Sequence, residues 1–354
     1  MFVHEFAKRM HCAGTKIFVL TTLNSDADKE FDKKDDVPVV RIKMNRLLIF
    51  NPFRLLSLLR IFRKVDIVHV HAIDYFGVIS TLGAKLFRKP VVVTVHRADV
   101  LPSNSFFFNM LRIIALKAAN AIIAVSVATK KLALNIGAPK NKVAIIYNAV
   151  DESIFAPRSK AFCRSKLALP QNSKIILSVG NLIPRKGFKY LIEALPKILT
   201  KIPNSILIIV GDGPQREELK KLAKVYKVED KIMFTGGIAT EELCLYYCAA
   251  DVFALSSLHE GHAVVLLEAM SSGLPIVATR VGGNLETIIN DKNGYLVEPK
   301  NVNQLANSII EILSSEKRIH EYGNASLRIY KEKFSEEKQI WKIVEVYSKV
   351  IQKV

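Results

Sequence analysis

The stretch DVFALSSLHEGHAVVLLEAMSSGLP, residues 251–275, decides how this chain folds. Its first five residues predict a short buried strand, and residues 256–261 predict a polar loop. From Ala263 onward apolar residues recur at helical spacing until 273–275 (GLP) ends the run, which predicts a helix. The stretch therefore predicts a strand, a loop and a helix in direct succession.

Two glutamates lie near the start of that predicted helix. Glu260 precedes the helix, and Glu268 lies inside its apolar run, about 7 Å along the axis at about 1.5 Å per residue. The free N–H groups of a helix N-terminus suit a phosphate, and a carboxylate at that distance can accept the hydroxyl groups of a ribose. The pattern indicates a nucleotide-sugar site with Glu260 beside the sugar. The alternative is that both glutamates are solvated surface charges.

Length and charge narrow the class of protein. With 354 residues, of which 50% are hydrophobic, the chain predicts two domains, each with its own core. The formal net charge is +18, and residues 1–150 hold 23 Lys and Arg against 10 Asp and Glu. A basic first half favours an anionic membrane surface or a phosphorylated substrate as a partner. No nucleic acid is expected, because neither an aromatic RNA-binding motif nor a zinc-ligand spacing occurs.

The four cysteines, Cys12, Cys163, Cys244 and Cys248, do not form a metal motif. We interpret them as small packing residues of a reduced protein. The sequence has no run of 18 uncharged apolar residues, so neither a spanning helix nor a signal peptide is predicted. A cytoplasmic location is therefore expected.

Strand and helix patterns alternate along the chain, with a charged loop predicted through Asp36. The alternation pauses after Asn148 and then restarts. We predict a first domain over 1–155, a second over 156–334, and a last helix, 335–354, that packs back toward the first domain. This alternation predicts an α/β fold of two Rossmann-like, doubly wound parallel-sheet domains facing a central cleft. Ligands of such sheets bind at the carboxyl ends of the strands.

Three further motifs follow predicted strands at that end. Residues 180–187 (GNLIPRKG) place Arg185 and Lys186 in a loop that opens a helix, where a cation stabilises a diphosphate leaving group; the alternative is a solvated loop. Residues 211–214 (GDGP) either let the backbone approach a nucleotide or form a plain turn. His96 ends an apolar strand of the first domain, where it is either a contact of the transferred sugar or a core residue.

Taken in order, these motifs resemble family 4 of the retaining glycosyltransferases, the glycosyltransferase group 1 type. The matching segments cover nearly the whole chain: 66–71 (DIVHVH), 94–96 (TVH), 148–151 (NAVD), 180–187, 211–214, 260–268, Gly282-Gly283 and 293–297 (NGYLV). The resemblance implies the two-domain GT-B fold. It also implies transfer of a hexose-type sugar from a nucleotide-diphosphate donor of UDP or GDP type, with retention of anomeric configuration and without a metal or other cofactor.

The family's functional roles fall on the matching positions. The resemblance implies that Lys186 contacts the donor diphosphate, Glu268 the ribose, Glu260 the sugar, and His96 the sugar and leaving phosphate. The implied catalytic set is His96, Glu260 and Lys186. The implied donor-binding set is Asn181, Arg185, Lys186, Gly261, His262, Ala263, Val264 and Glu268, in which the N–H groups of Ala263 and Val264 meet phosphate. The implied acceptor is lipid-linked, a glycan or a small molecule.

Two positions depart from the family pattern. Asn181 stands where an arginine usually holds the diphosphate, and Arg185 is the candidate substitute. His262 stands where an aromatic residue is common, which bears on sugar preference. Two other functions stay open: a nucleotide-sugar epimerase of the same architecture, and an inactive interaction protein that keeps the fold. A Rossmann dehydrogenase is not expected, because no Gly-x-Gly-x-x-Gly follows a predicted strand.

The start of the chain also departs from the resemblance. Similar proteins begin with a strand and a Gly-Gly loop, whereas residues 2–13 here predict an amphipathic helix directly after Met1. A doubly wound sheet without its central first strand leaves backbone groups unpaired, at roughly 1–3 kcal/mol for each buried group. We therefore expect about 15–25 residues to precede Met1; the alternative is a true N-terminal deletion that leaves an inactive transferase.

Two segments of the first domain combine apolar and basic residues. They are a predicted helix over 52–63, which carries three arginines, and the phenylalanine cluster 106–108. Such a combination favours a salt-sensitive, peripheral association with anionic lipid on the inner face of a membrane. The alternative is that both segments pack on the sheet.

Overall fold

The computed structural model describes residues 2–22, 31–34, 37–42, 61–101 and 103–352. The chain forms two compact units. The first contains Met1–Ala124, Lys130–Ile146 and Glu337–Val354, and the second contains Val125–Thr129 and Tyr147–Glu336. Each unit is built around parallel strands, and each is described below by itself.

The described strands of the first unit form two sheets. The first sheet has the order β1-β3-β2, from β1 (Val19–Thr22), β2 (Phe31–Lys34) and β3 (Val37–Ile42). The second has the order β4-β5-β6-β7, from β4 (Val68–His71), β5 (Val91–Val95), β6 (Ala121–Ala124) and β7 (Val143–Ile145). Neighbouring strands run parallel except β2 and β3. All five residues of β5 are buried, as a strand covered on both faces requires.

Strand β2 corrects one prediction. The charged segment through Asp36 is predicted to be a loop, but Phe31–Lys34 pairs antiparallel with β3, with Phe31 opposite Val40. The strand lies at the edge of its sheet. Charged side chains are common on edge strands because they oppose pairing with other chains. The prediction from composition is wrong here because a charged edge strand and a polar loop have similar sequences.

Helices cover the strands of the first unit. They are α1 (Phe2–Cys12), α2 (Tyr75–Leu86), α3 (Phe106–Ala118), α4 (Val127–Asn135), which begins in the second unit, and the last helix (Glu336–Ile351). The last helix packs Ile343 and Tyr347 against Phe6 and Met10 of α1. The helix predicted over 52–63 lies outside the described residues except for 61–63, which are helical.

The second unit contains one six-stranded sheet. Its strands are β8 (Lys174–Val179), β9 (Ser205–Val210), β10 (Ile232–Gly236), β11 (Val252–Leu255), β12 (Ile276–Thr279) and β13 (Gly294–Val297), in the order β10-β9-β8-β11-β12-β13. Every neighbouring pair is parallel. The order of connection reverses between β8 and β11. In doubly wound sheets the ligand crevice lies at this switch point, beyond the carboxyl ends of the two strands.

Helices cover both faces of this sheet. They are α5 (Lys160–Lys166), α6 (Phe188–Lys201), α7 (Arg216–Val225), α8 (Thr240–Ala249), α9 (Val264–Ser271), α10 (Asn284–Thr287), α11 (Val302–Leu313) and α12 (Glu316–Lys333). Successive strand residues point into opposite cores, so Ile175 and Leu177 belong to one apolar cluster and Ile176 to the other. The short helix α10 is an element that the sequence patterns do not predict.

Asp251, the first residue of the deciding stretch, anchors β11. Its buried carboxylate accepts hydrogen bonds from Arg164 (2.7 Å), Lys160 (2.6 Å) and the Ile175 amide (2.7 Å). These donors come from α5 and β8, so the start of β11 is fixed beside β8. Because the charge is paired, its burial is tolerated, and removal of one buried partner of such a pair costs about 3–5 kcal/mol.

Candidate active site

Two loops meet at the switch point of the second unit. The first, residues 180–187, follows β8, and the second, residues 256–263, follows β11. The Leu258 amide donates to the Arg185 carbonyl at 2.8 Å, and the Ser256 hydroxyl donates to the Gly187 carbonyl at 2.8 Å. Gly187 has φ +65°, and a Cβ there would lie 2.2 Å from the Ser256 carbonyl oxygen. Only glycine permits this approach of the two backbones.

An ion pair joins the loops. Lys186 Nζ lies 2.8 Å from Glu260 Oε1, and the Ser257 hydroxyl donates to the same oxygen at 2.7 Å. The two charged side chains are only 14% and 7% exposed. Arg185 Nη1 lies 3.7 Å from the other Glu260 oxygen, but its side chain is 47% exposed. The cation predicted for the diphosphate and the anion predicted for the sugar therefore neutralise each other in this structure.

The backbone under Glu260 is held by the glycine pair 282–283. Gly282 has φ +50°, and a Cβ at this position would lie 1.8 Å from the Glu260 carbonyl oxygen. The Gly283 amide donates to the Gly261 carbonyl at 2.9 Å. In the sequence these two glycines match the family pattern, but their structural role is not evident. The structure supplies the physical reason, which is that no side chain fits against the Glu260 loop.

Glu268 lies in α9 and belongs to the same site. Tyr247 Oη donates to Glu268 Oε2 at 2.6 Å. Part of the residue is accessible, but the carboxylate is enclosed by protein, and this burial raises the pKa of Glu268 to about 7. The hydrogen bond from Tyr247 and the charge of Lys186 act in the opposite direction. The structure therefore brings Glu268, Glu260 and Lys186 together.

Tyr247 is a site residue that the sequence does not reveal. It lies in α8, and it is fully buried within the apolar cluster on one face of the sheet. Burial, together with the nearby Glu268 carboxylate, raises the pKa of Tyr247 well above its usual range, so the hydroxyl stays a hydrogen-bond donor. In the sequence it looks like an ordinary core aromatic, since no motif surrounds it.

The N-terminus of α9 directly follows the loop 256–263 and has no side-chain cap. Ala263 is the N-cap residue and has no side chain that can accept from the first turn, which is followed by Val264. The first N–H groups of a helix have no partner within the helix. A ligand anion is a suitable acceptor for such groups because the helix dipole places a partial positive charge there.

His262 is buried within the second unit. Its ring is buried against Tyr147 and Phe334, with centroids 5.3 and 5.5 Å away. The Asn148 amide donates to His262 Nδ1 at 3.3 Å, and burial lowers the pKa of His262 to about 3, which keeps the ring neutral. The structure thus joins His262 to the segment 147–148. Its part in donor binding stays a prediction.

The turn at 211–214 packs against the loop after β8. A Cβ on Gly211 would lie 2.1 Å from the Gly180 carbonyl oxygen, and one on Gly213 would lie 2.6 Å from that of Leu182. Close packing of two loops therefore explains both glycines. Asn181 is exposed in the same loop.

His96 belongs to the first unit, whereas the site residues described above belong to the second. Its backbone amide donates to Asp99 Oδ2 at 2.7 Å. Burial lowers the pKa of His96 and raises the pKa of Asp99 to about 6. His96 directly follows the last residue of β5, as predicted. The catalytic role of His96 stays a prediction.

Within the described part of the chain, no three His, Cys, Asp or Glu side chains are grouped so that they could share a metal ion. The four cysteines are free thiols, of which Cys163, Cys244 and Cys248 are buried and Cys12 is exposed. The interpretation as packing residues agrees with the burial of Cys163, Cys244 and Cys248, and it is wrong for Cys12, which is exposed. Metal-independent transfer stays a prediction.

Two sequence families match the two halves of the chain. The family described as Glycosyltransferase Family 4 matches residues 1–154, and the family described as Glycosyl transferases group 1 matches residues 159–328. An uncharacterised glycosyltransferase of Methanocaldococcus jannaschii is 32% identical over 300 residues, which make up 80% of this chain and 75% of that protein. The chain is a family 4 glycosyltransferase.

A second relative and a solved structure extend the comparison. The glycosyltransferase is 30% identical, over 76% of its own chain and 72% of the other, to the UDP-Gal:alpha-D-GlcNAc-diphosphoundecaprenol alpha-1,3-galactosyltransferase of Escherichia coli. Sucrose-phosphate synthase from Thermosynechococcus elongatus superimposes with a TM-score of 0.85 at 23% identity, covering 100% of this chain and 93% of that chain. The predicted family and the two-domain, Rossmann-like GT-B fold are confirmed.

Proposed function

We propose that this glycosyltransferase moves a hexose-type sugar from a uridine or guanosine diphospho-sugar to its acceptor, with retention of anomeric configuration. The observation that carries the proposal is the grouping of Lys186, Glu260 and Glu268 at the switch point of the second unit. One cation and two carboxylates there match the three parts of such a donor. These three parts of the donor are the diphosphate, the sugar and the ribose.

Each group has a defined task in the proposal. Lys186 and the uncapped N-terminus of α9, at Ala263 and Val264, stabilise the diphosphate as it gains charge on leaving. Glu268, oriented by Tyr247, accepts the ribose hydroxyl groups. Glu260, positioned by Ser257, accepts hydroxyl groups of the sugar. The proposed donor site also includes Asn181, Arg185, Gly261 and His262, on the strength of the resemblance.

Donor binding has to change the ion pair between Lys186 and Glu260. Their separation of 2.8 Å, at low exposure, means that neither charge is fully available in the unliganded protein. A diphosphate attracts the ammonium group, and a sugar hydroxyl replaces it as the partner of the carboxylate. Recruitment of Lys186 to the diphosphate therefore depends on a ligand that satisfies Glu260, which favours intact nucleotide sugars over free nucleotides.

The acceptor is proposed to be lipid-linked or a glycan. The relative from Escherichia coli is named for a diphosphoundecaprenol acceptor, which supports the first class. We also propose that transfer needs no metal, since Lys186 and the helix N-terminus supply positive charge at the diphosphate. Transfer that persists at full rate in EDTA agrees with this, and restoration of a lost rate by Mg²⁺ or Mn²⁺ contradicts it.

A donor panel followed by a turnover assay tests the proposal. Thermal shift with UDP, GDP and their hexose conjugates should show one base and one sugar that raise the melting temperature most. With that donor, nucleoside diphosphate release should depend on an acceptor, and proton NMR of the product should show the donor's anomeric configuration. Isomerised donor without acceptor indicates the epimerase instead. Neither binding nor turnover indicates the inactive interaction protein.

A further inference from the structure

The outward face of α3 is apolar. Phe106 is 85% exposed, Phe107 63%, Met110 41% and Ile114 45%. Their spacing of three, four, seven and eight residues places them together along one side of the helix. The other side, which includes Phe108 and Leu116, is buried in the core of the first unit. A surface helix normally exposes polar residues on its outer face, whereas this helix exposes large apolar side chains to water.

A further exposed aromatic ring lies at the N-terminal end of α3. Tyr75, the first residue of α2, is 55% exposed, and its ring stacks on that of Phe108 with centroids 4.0 Å apart. We call Tyr75, Phe106, Phe107, Met110 and Ile114 the apolar face. Large exposed apolar areas of this kind mark sites of interaction with proteins or membranes.

The charge around the apolar face is mainly positive, although the exposed Asp74 directly precedes Tyr75. Residues 100–150 contain six Lys and Arg and no Asp or Glu. Lys117 is exposed on α3, three residues after Ile114 and thus on the same side. A surface of this composition attracts an anionic partner and meets no acidic side chain of its own segment.

We propose that the apolar face docks on an anionic lipid bilayer. α3 has 13 residues, which is fewer than the roughly 20 that cross a bilayer. No helix in the described ranges of the chain is long and apolar enough to span a membrane. α3 therefore lies in the plane of the interface, with its aromatic rings among the headgroups and Lys117 beside the lipid phosphates.

A second copy of the chain is the less favourable partner. Two apolar faces in contact would bring two basic surfaces together, and each chain carries a net charge of +18. Anionic lipid instead neutralises the same charge. The proposal rests on exposure and charge alone, so it is independent of the proposed donor and acceptor, although docking would bring the glycosyltransferase to lipid-linked acceptors.

Vesicle co-sedimentation without donor or acceptor tests the docking. The full chain should bind phosphatidylcholine vesicles that contain phosphatidylglycerol, bind less as salt rises, and bind phosphatidylcholine alone weakly. The double variant F106S/F107S should lower binding to the anionic vesicles about tenfold or more. Both side chains are exposed, so the melting temperature and turnover of a water-soluble acceptor should stay unchanged. K117E should lower binding to the anionic vesicles and leave the weak binding to phosphatidylcholine vesicles unchanged.

A matched control uses a phenylalanine in the second unit. Phe162 is 53% exposed, and F162S should bind vesicles like the unchanged protein. The proposal is overturned if the unchanged protein does not bind anionic vesicles at low salt, or if F106S/F107S binds as tightly as F162S. Sedimentation velocity adds a further decisive outcome. A dimer that F106S/F107S dissociates, without vesicle binding, assigns the face to a second copy of the chain.

Discussion

Lys186 and Glu260 form an ion pair whose two side chains are largely buried. The pair is 2.8 Å apart, and Ser257 supplies a further hydrogen bond to the carboxylate. Isolated buried charges are strongly unfavourable, whereas paired and hydrogen-bonded ones are tolerated. We expect the largely buried Lys186 ammonium to interact with a diphosphate more strongly than a solvated lysine does.

The first prediction concerns Lys186. The variant K186A should lower turnover about a hundredfold, which corresponds to about 3 kcal/mol, because the charge that meets the leaving diphosphate is lost. Steady-state kinetics measures this, and the melting temperature shows that the variant is folded. K189A is the control, since Lys189 is exposed on the next helix, and it should keep its rate. Unchanged turnover in K186A would remove Lys186 from the proposed site.

The second prediction uses the raised pKa of Glu268. Because the folded pKa is about 7 and the reference value is 4.5, the stability associated with protonated Glu268 is fully present below about pH 4.5. It is lost as the pH rises through about 7. The E268Q side chain does not titrate. As the pH rises from about 4.5 to about 7, the melting temperature of E268Q should therefore increase relative to that of the unchanged protein. E321Q removes a carboxylate from an exposed helix surface and serves as the control. A constant difference for E268Q would contradict the raised pKa.

Loops, strands and helices set the geometry that these residues need. β8 and β11 are neighbours at the point where the order of connection reverses, so their loops converge although 74 residues separate Lys186 and Glu260 in sequence. Glycines at close backbone contacts keep the loops in register. The position of Glu260 is therefore a property of the packed loops and not of its own segment.

The third prediction tests this packing at Gly282. G282A places a Cβ about where the Glu260 carbonyl oxygen lies, at a φ of +50°, so the Glu260 loop has to move. We expect stability to fall by more than about 1 kcal/mol and turnover by about tenfold or more. G237A is the matched control, because a Cβ at Gly237 meets nothing within 4 Å. Equal effects of the two substitutions on turnover would show that Gly282 does not position Glu260.

At the scale of the whole molecule, the end of the chain completes the first unit. Residues 337–354 belong to that unit although the whole of the second unit precedes them in the sequence. Ile343 and Tyr347 are buried against α1, and Tyr347 Oη lies 2.5 Å from His69 Nδ1 of β4. The first unit is therefore assembled from segments separated by the full length of the second.

The fourth prediction follows from this assembly. I343A should destabilise the protein by about 2–5 kcal/mol in urea or thermal unfolding, because it leaves a cavity between the last helix and α1. The neighbouring Val344 is 41% exposed, and V344A should change stability by less than about 0.5 kcal/mol. Similar effects of both substitutions would mean that the last helix does not complete this core.

The sequence alone determines the features that depend on neighbouring residues. Apolar runs and helical spacing locate β5, β8, β11 and α9 to within a few residues, since burial imposes a period of two or 3.6 on the chain. The order of the motifs gives the family and the GT-B fold. The edge strand β2 and the short helix α10 escape this reasoning, because each has only four residues, too few to show a periodic pattern.

The tertiary structure decides what depends on residues far apart in the chain. The pairing of Lys186 with Glu260, the hydrogen bond from Tyr247 to Glu268, and the contact of Gly282 with the Glu260 backbone all join separate segments. No local pattern records such contacts, because they arise only when the sheet order brings β8 beside β11. The ionisation of Glu268 likewise depends on how much water the folded protein excludes, and that is a property of the packed site.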